Sequence, residues 1–272
     1  MKEKKALIIY APEDVDKNRA FVDMCTEYLT ERGIELKLLV LKDKNQQKLD
    51  EPAEEYLFAI NRSRNSSISR QLENKGIRVF NGSYVTEIGN DKWKTYELAL
   101  RAKIPVLKTQ KAPLYDSDIE FPLILKSRAG HGGSEVFVVN NRSEYEEYIK
   151  QIGEKSIVQP VDDTGGRDVR VYVIGGEIVV SICRQAKDGF KSNFSLGGEV
   201  EVYELSPEER EVAEKVIRLL KPDYAGIDLI KDGNLVVLNE IEDAVGARMV
   251  YAATNINIIG MYMEYICQLL QL

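Results

Sequence analysis

The first eighty residues alternate short apolar runs with helix-period segments, and this restricts the fold of the chain more than any other feature. Ala6 to Tyr10 is a continuous apolar run, Asp16 to Arg32 repeats at helical spacing until Gly33 ends it, and Leu36 to Leu41 is a second run. Tyr56 to Ile60, a helix from about Ile68 to Lys75, and Val79-Phe80 continue the order β-α-β-α-β. Such alternation predicts a parallel sheet with right-handed crossovers, whose ligand sites lie off the carboxyl ends of the strands. Asn61-Arg62-Ser63-Arg64 follows such an end. Arg62 and Arg64 read either as a solvated loop or as contacts to an anionic substrate.

The pattern changes near Ile88-Gly89-Asn90-Asp91. Asp91 can cap a helix from Lys92 to Ala102 that stops before Ile104-Pro105. Strands are expected at Pro122 to Ser127 and Glu135 to Val139, then a helix around Ser143 to Ile152 and a strand from Ile157 to Val161. An antiparallel region follows, with one hairpin around Gly175-Gly176 and another, Tyr224 to Ile230 and Leu235 to Glu242, around Lys231-Asp232-Gly233-Asn234. Between them Ser206-Pro207-Glu208-Glu209 is a capping box that opens a helix from Pro207 to Leu220. The expected division is an N-terminal domain at 1–88, a central lobe at 89–157 and a C-terminal lobe at 158–272.

Composition narrows the class. In 272 residues, 44% hydrophobic and 30% charged, no apolar run reaches the length of a membrane span. A net charge of -7 without a basic stretch argues against nucleic acid as a partner. Cys25, Cys183 and Cys267 are odd in number and far apart, which suits a reduced compartment, and His131 is the only histidine to serve as a base for a thiolate. With no signal-peptide pattern at Met1-Lys2-Glu3-Lys4-Lys5, the expected location is cytoplasmic. Self-association is left open.

Chemistry concentrates in the second half. Glu240 and Glu242 share a strand face by period-two geometry, and Asp228 lies on the neighbouring strand among apolar residues. Like charges at a partly buried site repel and lose hydration, so a hard cation with oxygen ligands, Mg²⁺ or Mn²⁺, is their natural partner; a solvated acidic hairpin is the alternative. Lys126 ends a strand before Arg128-Ala129-Gly130-His131-Gly132-Gly133-Ser134, a loop whose glycines let backbone amides approach phosphate oxygens. A strand follows that loop, so it reads as a flap over phosphates or as a plain turn. Asp168 and Arg170 alternate with Val169 and Val171, and Arg184, Lys187 and Lys191 extend the next strand and its loop.

In their order, Asn90-Asp91-Lys92, Phe121 to Lys126 with its glycine loop, Ile157-Val158-Gln159-Pro160, Arg167 to Arg170, Arg184 to Lys187, Lys191-Ser192-Asn193 with Gly197-Gly198, Ala225 to Asp228 and Asn239 to Glu242 resemble the ATP-grasp ligases. The resemblance is to the branch of the ribosomal-protein S6 glutamate ligase and covers nearly the whole chain. It implies a mixed α/β, ATP-grasp fold: a Rossmann-like N-terminal domain and two α+β lobes that clamp a nucleotide. It also implies that Lys92 and Lys126 hold the phosphates of ATP under the loop containing Gly132 and Gly133. By the same likeness Gln159, Pro160 and Val161 read the adenine edge, and Asp162 or Asp163 takes the ribose hydroxyls. Asp168, Lys191, Ser192 and Asn193 match nucleotide contacts, Arg184 matches an arginine beside an acyl phosphate, and Asp228, Glu240 and Glu242 match the Mg²⁺ or Mn²⁺ ligands. Glu242 stands where the family usually has asparagine, and Asp243 to Arg248 depart from its usual acceptor turn.

The expected activity is therefore ATP-dependent joining of a small-molecule or peptide carboxylate to an amine through an acyl phosphate. Arg62, Arg64, Arg170 and Arg248, with Arg184, are the candidate contacts to anionic substrate groups. An ATP-grasp phosphotransferase or thiol ligase would share the same nucleotide residues. A non-catalytic nucleotide-binding regulator is the remaining alternative.

Overall fold

The computed structural model describes residues 4–43, 45–49, 55–112, 120–130, 135–161, 165–186 and 199–272. Its first sheet is parallel, with strands β1 (Lys4–Tyr10), β2 (Ile34–Val40), β3 (Tyr56–Asn61) and β4 (Arg78–Phe80) in the order β2-β1-β3-β4. Helices α1 (Arg19–Thr30) and α2 (Ser66–Asn74) supply the crossovers. Alternate residues of β1 serve opposite faces: Leu7 and Ile9 pack with Ile68 and Leu72 of α2, and Ala6, Ile8 and Tyr10 with Phe21, Val22, Cys25 and Leu29 of α1. A strand covered on both sides reads as a continuous apolar run.

Two helices, α3 (Ser83–Gly89) and α4 (Lys92–Arg101), lead to the second sheet. There β5 (Gln110–Lys111), β6 (Leu123–Ser127), β7 (Val136–Val139) and β8 (Ser156–Pro160) run antiparallel in the order β5-β8-β6-β7. Helix α5 (Arg142–Ile152) covers it, with Tyr145 against Leu123, Leu125 and Val158. The third sheet is antiparallel, with β9 (Arg167–Ile174), β10 (Glu177–Gln185), β11 (Glu199–Val202), β12 (Tyr224–Asp232) and β13 (Leu235–Glu242) in the order β11-β10-β9-β12-β13. Helix α6 (Pro207–Leu220) covers one face, and α7 (Arg248–Ala253) and α8 (Ile258–Leu270) close the chain. Residue for residue α6 has the expected bounds: Ser206 Oγ accepts from the Glu209 amide at 3.2 Å and the Glu209 carboxylate accepts from the Ser206 amide at 2.8 Å.

Two placements differ from the sequence reading. The division expected at 157/158 falls inside β8, which pairs with β6 and β5. Helix α4, expected in the central lobe, packs on the third sheet: Ala99 and Ile104 join Val171, Ile227 and Leu238 in one core, and the Leu238 amide donates to Pro105 O at 2.8 Å. This brings Lys92 to β13. Helix α8 meanwhile fills the gap between the first and third sheets, with Ile259, Tyr262 and Ile266 in the core shared by Ile8, Phe80, Tyr172 and Tyr224. Among the described residues no helix is long and apolar enough to cross a membrane.

Candidate active site

One irregularity builds the acidic cluster. Asp228 opposes Glu240 across β12 and β13, but Leu229 opposes Leu238, so Asn239 is an extra residue in β13. Such a bulge exchanges the faces of the strand beyond it. Val236 and Leu238 therefore enter the same core as Ile241, although simple alternation would place them beside Glu240. The bulge lets β13 send its apolar residues to α6 and its carboxylates to the opposite face. There Asp228, Glu240 and Glu242 bring carboxylate oxygens within 4.8 Å of one another.

Strands β9 and β10 supply the positive charge. Arg170 opposes Asp228, and Arg184 opposes Asp168. The Arg170 guanidinium donates to Asp228 from Nε at 2.7 Å and from a terminal nitrogen at 2.6 Å, and reaches both Glu242 oxygens at 2.8 Å. Arg184 donates from Nε to Asp168 at 2.6 Å, makes a second bond to that carboxylate, and reaches Asp228 at 2.6 Å. These forks satisfy planar partners in a way a lysine could not. Burial alone would raise the Asp228 carboxyl, but Arg170 and Arg184 outweigh it and hold it at about 2. Gly226 makes room for this fork, since a Cβ there would lie 3.2 Å from Arg170 Cδ and 2.9 Å from Val245 Cγ2.

The other sheets contribute lysines. Asp91 caps α4, accepting from the Trp93 and Lys94 amides at 3.0 and 3.3 Å, and is gripped by Arg128 at the end of β6 at 2.9 and 2.5 Å. The Lys92 amide also donates to Arg128 O at 3.0 Å. So fixed, Lys92 Nζ sits 2.9 Å from Glu240 and bonds Gly130 O. Lys126, buried on β6, acts on the same carboxylate: burial would raise Glu240, and Lys92 and then Lys126 lower it. Gln159 is buried on β8 with Nε2 2.8 Å from Thr109 Oγ1; Pro160 is half-buried and Val161 exposed. Gly132, Gly133, Asp162, Asp163, Lys191, Ser192 and Asn193, with His131, lie outside the described residues.

The candidate substrate arginines fare differently. Arg62 is neither solvated nor turned to a cleft: it is 4% exposed, donates to Ala244 O at 3.0 Å and Val245 O at 2.9 Å, and lies 4.0 Å over the Phe21 ring. Arg64 is committed to Asp14, a buried carboxylate at the end of the first strand-loop unit. Arg62 is buried because the loop after β3 abuts the third sheet, whereas Arg64, partly exposed, is paired within the N-terminal domain. Arg170, expected to meet substrate, is filled by carboxylates because register places it against Asp228. Arg248 is exposed in the first turn of α7. Asn81 escaped sequence reading. Its amide donates to Tyr224 O at 2.7 Å and Asp243 O at 3.0 Å and accepts from the Asp223 and Tyr224 amides, pinning the first sheet to the third. Its place just after β4 was the available signal.

Solved structures with this arrangement of sheets define the fold as ATP-grasp. A D-alanine–D-alanine ligase from Bacillus anthracis superposes with a TM-score of 0.74 at 15% identity, covering 98% of this chain and 99% of that one. An ATP-grasp RimK domain protein from Sphaerobacter thermophilus superposes with a TM-score of 0.72 at 18% identity over 96% and 99% of the two chains. In sequence, the RimK-like ATP-grasp domain matches residues 89–266. A probable alpha-L-glutamate ligase from Methanococcoides burtonii is 32% identical over 214 residues, 74% of this chain and 71% of the relative. An uncharacterised protein of Mycoplasma genitalium is 30% identical over 95% of this chain and 91% of its own length. The chain belongs to the RimK-like ATP-grasp family, and it is an ATP-dependent ligase that joins a carboxylate to an amine.

Proposed function

We propose that the phosphates of ATP lie between Lys92 and Lys126 on one side and the face of Asp228, Glu240 and Glu242 on the other, with the adenine at Gln159–Val161. The observation that carries this is the convergence of the two lysines, from α4 and β6, on Glu240, one of three carboxylates within 4.8 Å. Those carboxylates are all-oxygen donors of the kind hard cations take, so they fit Mg²⁺ or Mn²⁺. Bound there, the cation would neutralise charge on the phosphate oxygens.

The substrate carboxylate attacks the γ-phosphorus, the bond to the ADP oxygen breaks, and an acyl phosphate forms. The amine then attacks the acyl carbon, phosphate leaves, and the amine gives up a proton. In this reading the protein positions the reactants and neutralises charge; Lys92 and Lys126 hold phosphate, and Arg184 stabilises the acyl phosphate. The described residues lend no support to a thiolate route, since Cys25, Cys183 and Cys267 are all buried and burial raises each thiol. A cytoplasmic location, small or peptide substrates, and Arg248 as a contact for an anionic substrate group belong to the same proposal.

The test is ADP release from the purified protein with ATP, Mg²⁺ and pools of amino acids, peptides and small carboxylates, with L-glutamate in the first pool because relatives carry its name. A product whose mass equals the two substrates less water supports the reading. A phosphorylated or thioester product instead would reassign the acceptor chemistry. ATP binding without ADP formation in any pool would favour a regulator.

A further inference from the structure

Among the described residues, the charges of the site proposed above balance before any ligand arrives. Asp168, Asp228, Glu240 and Glu242 supply four negative charges; Arg170, Arg184, Lys92 and Lys126 supply four positive ones. All three nitrogens of Arg170 bond carboxylate oxygens, across both Asp228 and Glu242. Asp228 Oδ2 already accepts from Arg170 and Arg184, each at 2.6 Å, so both its lone pairs are engaged. A free divalent cation approaching this face meets no surplus of negative charge, and it meets a guanidinium wedged between two of its three carboxylates.

We propose that Arg170 acts as a charge lock on the metal site: the free protein holds divalent cations weakly, and the cation enters together with the triphosphate. The negative charge of the triphosphate is taken up by Lys92, Lys126 and Arg184, which leaves the carboxylates able to share the cation. This rests on the nucleotide reading of the site and adds an order of binding to it. Arg170 is thereby a positioning residue: it touches the ligating carboxylates, and its charge sets what they can hold.

The experiment is Mn²⁺ binding followed by electron paramagnetic resonance, on the full chain, with and without a non-hydrolysable ATP analogue. For the wild type the inference expects at least tenfold tighter Mn²⁺ binding with the analogue than without. Arg170→Gln, which keeps polar bulk and removes the charge, should bind free Mn²⁺ at least tenfold more tightly than wild type. Arg170→Lys keeps the charge and should stay weak. Should Arg170→Gln fail to fold, the wild-type comparison with and without the analogue carries the test alone, since the lock requires the difference between the two. Equal binding with and without the analogue, or a folded Arg170→Gln with wild-type affinity, overturns the lock while leaving the nucleotide site intact. No Mn²⁺ binding under either condition overturns the nucleotide and metal reading, and the lock with it.

Discussion

Arg62 and Arg170 are both buried guanidiniums on the third sheet's flank, and they are held in opposite ways. Arg62 rests on two backbone carbonyls and the Phe21 ring, and among the described residues its Nε is unpartnered and no carboxylate is in hydrogen-bond contact. Arg170 is saturated by two carboxylates. Carbonyls and rings are neutral, so the first arrangement can only hold two sheets together. Carboxylates carry charge that a cation or a phosphate can compete for, so the second can be exchanged. The two sites meet at Gly226, where a Cβ would lie against both Arg170 and Val245, the residue whose carbonyl Arg62 holds. Burial of an arginine therefore says little until its partners are named.

The largest expected effect sharpens the charged half of the comparison. Glu240→Gln removes the carboxylate that Lys92 and Lys126 share and should cut ADP formation about 10³-fold, roughly 4 kcal/mol of transition-state stabilisation. A melting curve close to wild type shows that the loss is chemical. The neutral half is probed by Arg62→Met, which keeps the length of the side chain, gives up its two carbonyl bonds and leaves no buried carboxylate orphaned. It should destabilise by about 2 kcal/mol and lower the melting temperature by roughly 4–8 °C. Gly226→Ala tests the junction: the new Cβ must displace Arg170 or Val245, and crowding of this kind costs about 1–3 kcal/mol. That variant should lose both stability and turnover, which neither arginine variant alone is expected to combine in equal measure.

How much of this was legible in sequence depends on whether the signal was local. The α6 capping box, the parallel strands and the three carboxylates all announce themselves in a few residues. The bulge at Asn239 does not, because nothing in Leu238-Asn239-Glu240 marks an extra residue; only pairing with Asp228 and Leu229 reveals it. Arg62 was misread because arginine after a strand is usually solvated, and its burial comes from Ala244 and Val245, more than 180 residues later. Helix α8 gave little helical contrast, since Ile258, Ile259, Tyr262, Met263, Ile266 and Cys267 are buried and Met261 and Leu269 make the outer side apolar as well.

The smallest expected effect concerns the junction between α4 and β6. Burial would raise the Asp91 carboxyl, and Arg128 with the Trp93 and Lys94 amides outweighs it, so the carboxyl titrates below its ordinary value. A depressed folded value means that this contribution is present above the unfolded pKa, about 3.9, and is lost as pH falls through the folded one. Asp91→Ala should cost about 1 kcal/mol at neutral pH, typical of a helix cap. Denaturant melts should show the difference from wild type shrinking below about pH 4; a difference that stays constant to pH 2 would remove Asp91 from the acid-sensitive contacts.

The most direct test of the account is calorimetric titration of a non-hydrolysable ATP analogue with Mg²⁺ into wild type, Arg62→Met and Glu240→Gln. If carboxylate-held charge makes the site and carbonyl-held charge only the scaffold, Arg62→Met binds within about twofold of wild type and Glu240→Gln loses at least about tenfold, or 1.4 kcal/mol. Wild-type affinity in Glu240→Gln would contradict the account, placing the nucleotide away from Asp228, Glu240 and Glu242.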